Sequence, residues 1–327
     1  MIVGEKLKAW VGDRAAQRDT QNAVDAFGHD WNHGSVHRRF DDAMASLTAP
    51  ITAETVAEAV VALFADDAWV GTLVASLAQR MRADPFFDPP FRGLSGNLHA
   101  GLLVFEDEKV SIAAGVSSAL EMAAKKTQSR GPTSIGFTGQ VGVYRFVKAG
   151  GTVLSFWEAP AIGPDFTAAN AGTCRRTGER QIADGETLVI DGRRQAYVVE
   201  SMRDSFVLLQ ASIAVDQAPL SVSFNSETGL YVGATATGDT SSRIQMITTL
   251  LRKLDHKAAF PAIAAFLDHS DFFVRWHVMK ELLGLDAGAA LPHLKRMAAS
   301  DPHPEPRRAA RAVLDRIEAP AAATKAA

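Results

Sequence analysis

At 327 residues the chain is long enough for two or three domains, and a hydrophobic content of 47% supplies ample core. A net charge of −3 gives no general electrostatic case for nucleic acid or an anionic membrane. The first residues lack the apolar core of a signal peptide, and no run approaches the roughly 18 apolar residues of a membrane span. The single cysteine, Cys174, cannot form an internal disulfide, so a soluble cytoplasmic protein is the expectation.

Residues 1–95 read as a helical region packed on the core. Ser35 is placed to cap a helix over 36–47. Thr55-Val-Ala-Glu58 resembles a capping box, with Val56, Val60, Val61 and Leu63 at helical spacing. Val70, Leu73, Val74 and Leu77 continue that pattern over 68–82. Pro85-Phe-Phe-Asp-Pro-Pro-Phe91 breaks the helix and lays aromatic rings on a neighbouring surface.

His29, His33 and His37 recur every four residues beside Asp30. On one helix they would share a face, and such a pair can chelate zinc. Gly28 and Gly34 interrupt that helix, and a surface turn is the alternative reading.

Residues 96–238 form the β part. Two strands are predicted at 102–105 and 110–113, separated by an acidic turn of Glu106, Asp107 and Glu108. A helix over 117–126 and a loop over 128–133 follow. Segments 134–137, 140–147, 152–157, 187–190, 195–199 and 206–213 are rich in Val, Ile, Phe and Tyr and punctuated by turn residues. Val141, Val143 and Val147 fall on one face of their strand, Tyr144 and Phe146 on the other. With both faces apolar, the strand belongs to a filled barrel or to a sheet covered on both sides. Gly150-Gly151 and Asp191-Gly192 read as turns, and a further hairpin around Ser226-Glu-Thr-Gly229 joins 219–224 to 230–234.

Gly151-Thr-Val-Leu-Ser-Phe-Trp157, a long loop, and Asp184-Gly-Glu-Thr-Leu-Val-Ile-Asp-Gly-Arg-Arg-Gln195 resemble the paired strand motifs of a cupin barrel. The resemblance implies a cupin-like antiparallel barrel or sandwich over roughly 137–213. Cupin enzymes place two His on the first motif and one on the second to hold a divalent metal. Here Phe156, Trp157, Glu158 and Ala159, then Gln195 and Ala196, occupy those places. No His lies between Ala100 and Asp255. Without imidazole a catalytic transition metal is not expected, nor is any other cofactor.

Tyr144, Arg145, Trp157, Arg180, Gln195 and Tyr197 sit on or beside these strands. Pointing inward, they would form an aromatic pocket with a few donors for a small molecule or a peptide. Core packing and exposed strand charges are the competing account. Arg175, Arg176, Arg180, Arg193 and Arg194 form a local basic group able to receive a carboxylate or phosphate, with a solvated rim as the favoured reading. Cys174 reads as a buried thiol. Nucleotide loops and the nucleophile elbow of hydrolases are missing.

Residues 239–318 repeat with a period of about 30–32 residues. Ala258-Ala-Phe-Pro-Ala-Ile263 matches Ala289-Ala-Leu-Pro-His-Leu294. Asp271/Arg275 matches Asp301/Arg307. The last segment resembles a HEAT-type repeat, which implies that each Asp caps a turn and each Arg packs between repeats. Five helices are predicted, at 242–254, 258–267, 272–283, 287–299 and 304–317. So short a stack is expected to dock on the β part, with Trp276 and His277 on the docking face. Arg307, Arg308 and Arg311 make the last helix basic and are candidates for contacting a protein partner. Residues 319–327 read as a disordered tail.

The fold class expected is therefore α+β and multidomain. It comprises an N-terminal helical region, a central cupin-like antiparallel barrel or sandwich, and C-terminal HEAT-like repeats. The function expected is a non-enzymatic binding or scaffold protein. It has no assigned catalytic residue, a protein partner, a small-molecule or peptide ligand, no membrane and no nucleic acid. The alternative is a metal-independent cupin-type isomerase or cyclase using Tyr144, Glu158 or Arg180 for acid–base chemistry.

Overall fold

The computed structural model describes residues 2–95, 99–128, 133–163 and 165–323. Five helices come first: α1 (Ile2–Gly12), α2 (Arg14–Asn32), α3 (Ser35–Ala45), α4 (Ala53–Phe64) and α5 (Ala68–Ala83). Asp13 caps α2 by accepting from the backbone N–H of Ala15 and Ala16. Gly28 lies inside α2 and does not break it. The break comes at His33–Gly34, and Gly34 rather than Ser35 is the N-cap of α3. The capping box of α4 uses Thr52 and Thr55, one turn earlier than the sequence pattern placed it. The aromatic segment after α5 behaves as expected. Phe86 stacks on Trp10 at 4.8 Å, and Phe91 meets Phe27 and Trp31 edge-on. Among the described residues no single helix is long and apolar enough to cross a membrane.

The β part contains β1 (Arg92–Ser95), β2 (His99–Glu106), β3 (Val110–Ser117), β4 (Ser134–Phe137), β5 (Val141–Lys148), β6 (Val153–Glu158), β7 (Arg175–Gln181), β8 (Glu186–Asp191), β9 (Gln195–Ser201), β10 (Phe206–Ile213), β11 (Leu220–Asn225) and β12 (Tyr231–Ala236), with α6 (Ala119–Gln128) between β3 and β4. The predicted loop at 128–133 falls mostly outside the described residues.

Among the described residues the strands do not close into one barrel. They form three antiparallel sheets there: β1-β2-β3-β10-β5-β8, β12-β11-β4 and β7-β6-β9. Sequence patterning missed β1, which falls in the stretch read as helical, and β7, because every residue of Arg175-Arg-Thr-Gly-Glu-Arg-Gln181 is exposed. β7 is an edge strand held to β6 by main-chain pairing, and its charges suit an edge that must not recruit another strand.

Alternation explains how the layers stack. Val141 and Val143 of β5 join Ile112, Leu209, Ala211 and Ile213 in a core shared with Phe40, Val56, Val60, Phe64 and Trp69 of the helices. Tyr144 and Phe146, on the opposite face, join Leu154, Leu188, Phe206 and Leu208, with Phe156, Tyr197 and Val199 packed against them. The small sheet β7-β6-β9 is covered on its second face as well. Ala196, with Trp157 and Val198, packs among Ile135, Phe137, Leu220, Val222 and Phe224.

The Gly150-Gly151 turn joins β5 to β6, with φ of 60° and 67°. A Cβ on Gly150 would lie 2.3 Å from the Asp204 carbonyl oxygen. That carbonyl belongs to a backbone segment whose own N–H groups bond Gly150, so it cannot retreat cheaply. Gly150→Ala is therefore expected to lower unfolding stability by about 2 kcal/mol, read from the urea midpoint.

The C-terminal helices are α7 (Asp239–Lys253), α8 (Phe260–Ala264, flanked by 3-10 turns), α9 (Phe272–Leu285), α10 (Ala287–Ser300) and α11 (Pro304–Ala323). α11 continues through Ala319, where a disordered tail was expected, and residues 324–327 lie outside the described set. Asp271 and Asp301 each precede a helix. Arg275 donates to the carbonyls of His269 and Ser270, and Arg307 to those of Asp301 and Pro302. The same offset of six and five residues thus recurs in both repeats. Arg275 also reaches across to Asp301 through two bonds of 2.9 and 2.7 Å, with both side chains buried.

The helix stack docks on the β part through Phe272, which is buried in the cluster around Phe137 and Phe224, and through Phe273, which touches both cores. His303 stacks on Phe272 at 3.7 Å.

Candidate functional site

The six strand residues singled out from the sequence do not line one chamber. Tyr144 and Tyr197 come together between two sheets, rings edge-to-face with centroids 5.0 Å apart. Arg145, the next residue after Tyr144, projects to the other face. There its Nε donates to Asp67 at 2.9 Å at the start of α5, and its guanidinium also bonds the Gly185 carbonyl. Register pairs Phe156, not Trp157, with Tyr197. Trp157 lies on the opposite side of that sheet and donates its Nε1–H to Ser155 at 3.0 Å. Gln195 accepts the backbone N–H of Asp191. Arg180 lies over the Phe156 ring at 5.5 Å and pairs with Glu186 at 2.5 Å. The period of two that makes a strand sends consecutive residues apart, so closeness in sequence did not translate into one pocket.

The acid–base groups are separated in the same way. Glu158 pairs with Arg175 at 2.8 Å. Arg180 stands opposite Leu154, four positions along β6 from Glu158, which is roughly 13 Å.

Burial pushes the Tyr144 phenol up to about 12 and the Tyr197 phenol well above its ordinary range. Tyr231 is raised too, by burial and by nearby Glu305. These are the chain's only three tyrosines. Folding favours each neutral phenol, and for Tyr144 the stability this contributes is present below pH 10 and lost as pH rises toward 12. For Tyr144 this is worth roughly 3 kcal/mol. An ultraviolet pH titration should show no tyrosinate step near pH 10 from Tyr144 or Tyr197. These two phenols should ionise with alkaline unfolding, and normal folded-state steps from all three tyrosines would refute their burial.

The local arginine group is neutralised residue by residue. Arg176 contacts Glu179 and Glu200. Arg193 bonds Asp191 at 2.7 Å and Glu54 at 2.9 Å, and Arg194 bonds Asp191 at 3.1 Å. Asp107 of the acidic turn accepts the backbone N–H of Lys109 and Val110, closing the β2–β3 hairpin. Cys174 is buried, and desolvation raises its thiol away from reactivity.

His29 and His33 stack at 4.2 Å, but His33 Nδ1 meets the His29 carbonyl at 2.9 Å. His37 lies on the next helix with Nδ1 2.9 Å from Asp41. One ring nitrogen of His33 and one of His37 thus meet different partners. Among the described residues no group of three or more His, Cys, Asp or Glu is placed to hold a metal ion.

In the helix stack, Arg307 is committed to the Asp301 turn and Arg311 to the Ala298 carbonyl, whereas Arg308 is exposed, 3.9 Å from Glu305. His277 faces α7 rather than the β part. Its Nε2 lies 2.9 Å from Thr249 Oγ1 and 3.0 Å from the Gln245 carbonyl. Glu281 accepts from Thr249 and Arg252. Desolvation lowers the His277 imidazole, outweighing the pull of Glu281. This polar seam locks α7 to α9.

Two surfaces lie apart from these residues. One is a cleft of about 460 Å³ between β12 and the helices, walled by Phe166, Tyr231, Phe272 and Phe273. The other is the outer side of α7. Neither carries a motif, and only its position in the fold reveals it.

Several solved structures are similar to part of the chain. They include the ectoine synthase from P. lautus (10% identity, 37% of this chain and 68% of that one, TM-score 0.22). Others are a cupin domain from Bordetella pertussis (11%, 37% and 98%, 0.21) and a sugar phosphate isomerase of the cupin superfamily from Silicibacter pomeroyi (9%, 44% and 85%, 0.24). No curated protein matches the chain. Residues 230–315 match the family model for HEAT repeats, and the helical end of the chain is a HEAT-repeat region.

Proposed function

We propose that the chain is a non-enzymatic scaffold whose HEAT repeats receive a protein partner and whose β part is the rigid platform that holds them. The observation that carries this reading is the filled β interior. Phe146, Phe206 and Leu154 are fully or almost fully buried there, and Arg145 and Trp157, on other faces of their sheets, have partners of their own. A reaction chamber needs convergent polar groups around a space. Here the space is occupied by side chains, while helical repeats present extended surfaces to other proteins. The short stack is fixed to the platform by Phe272, Phe273 and His303, so its outer helices are displayed in one orientation.

The chemistry of the donors supports the same reading. The β strands between His99 and His256 contain no imidazole, and the carboxylates along them sit in ion pairs. Elemental analysis of chain expressed in metal-replete medium is expected to find Fe, Zn, Ni and Mn well below one per chain. Stoichiometric metal that survives dialysis would overturn the proposal.

A further inference from the structure

α7 displays an apolar outer face. Met246, Ile247, Leu250 and Leu254 are 66%, 52%, 54% and 67% exposed. At about 100° per residue, these four fall within an arc of roughly 120° together with Arg243 and Lys253. The opposite side of the helix faces the protein. Ser241 and Thr248 are buried, and Ile244 and Leu251 pack on the stack core. Four large apolar side chains on one turn-spaced stripe differ from single exposed hydrophobics, which need no explanation.

The position of α7 explains why the stripe is there. α9 pairs with α8, and α11 pairs with α10. α7 lies beside α9 in the same layer as α11, yet β12 precedes it where a pairing helix would stand. A repeat stack normally ends in a helix with a polar outer face. This one ends in a half repeat whose surface is still that of an interior helix.

We infer that the outer face of α7 docks an amphipathic helix from a different protein, with acidic residues flanking its apolar stripe. Arg243 and Lys253 bracket the patch ten residues apart, about 15 Å along the axis. A matching helix presents carboxylates at that separation on either side of an i, i+3/i+4, i+7 apolar row. A second copy of this chain fits less well. Antiparallel pairing of two α7 stripes would set Arg243 of one against Lys253 of the other. Asp239 lies 3.8 Å from Arg243, but both are exposed, and such a contact yields readily to a better carboxylate.

The inference rests on the scaffold reading above, yet it fails separately. Metal content tests that reading, and peptide binding tests this surface. The probe is a labelled synthetic helix with a Leu/Ile row bracketed by Glu, compared with the same helix bracketed by Lys. Binding to the full chain is followed by fluorescence anisotropy. The Glu helix is expected to bind and to weaken with added salt. Leu250→Glu, at an exposed position, should weaken it about tenfold or more. Equal binding of the two helices, no binding of the Glu helix, or no effect of Leu250→Glu overturns the inference. So does concentration-dependent dimerisation that Leu250→Glu abolishes, which would assign the face to self-association.

Discussion

Asp301→Ala should remove roughly 3–5 kcal/mol from the stability of the helical stack. Asp301 accepts both arms of Arg275 and the backbone N–H of His303, and the two side chains are almost fully buried. Truncating the acid leaves a guanidinium charge away from water with only two carbonyls to receive it. It also leaves the turn before α11 uncapped. The loss should appear in a urea titration followed by tryptophan fluorescence, since Trp276 lies in this stack. Hydrogen exchange should localise it to α9, α10 and α11. Replacing both partners, as Arg275→Met with Asp301→Leu, should recover much of the loss, because no unpaired charge remains. A cost below about 1 kcal/mol for Asp301→Ala would show that water reaches the pair and that it behaves as a surface ion pair.

Phe146→Ala should cost a similar amount, about 3–5 kcal/mol, for a different reason. The ring is fully buried between sheets, with Phe206 at 5.6 Å. Removing it takes apolar area out of the core and leaves a space that neighbouring rings and paired strands cannot close. That space should be dry and should accept a benzene-sized molecule. Benzene is expected to raise the melting temperature of Phe146→Ala and to leave the unsubstituted chain unchanged. Stabilisation of the unsubstituted chain by benzene would mean that the interior is already hollow, and would revive a small-molecule role for the β part.

The repeats were the most legible part of the sequence, because their determinants are local. An Asp before a helix and an Arg inside it form a pattern that survives without knowledge of the rest of the fold. The strand carrying Tyr144 and Phe146 was readable for a similar reason, since apolar residues on both of its faces require a layer on each side. β7 was not readable, because an edge strand with charged side chains on both faces has no hydrophobic period to detect. The candidate pocket was the least legible. Whether Trp157 and Tyr197 share a face depends on strand register, which is set by the bulges and pairing of β6 with β9. The HEAT docking face was half right. Phe272 and Phe273 meet the β part, but His277, five residues from Phe272, turns toward α7, because a helix rotates by about 100° per residue.

The place of β10 in the large sheet bears on how the protein is made. β3 lies on one side of it and β5 on the other. The helices of the first 83 residues rest partly on Leu209, Ala211 and Ile213 of that strand. On the ribosome, these early helices therefore emerge well before the surface that buries them, and the sheet stays in two halves until residue 213 has left the exit tunnel. Assembly must wait on pairings nearly a hundred residues apart, between Phe206–Ile213 and Val110–Ser117, which makes for slow, late-committing folding and a nascent chain that benefits from chaperone protection.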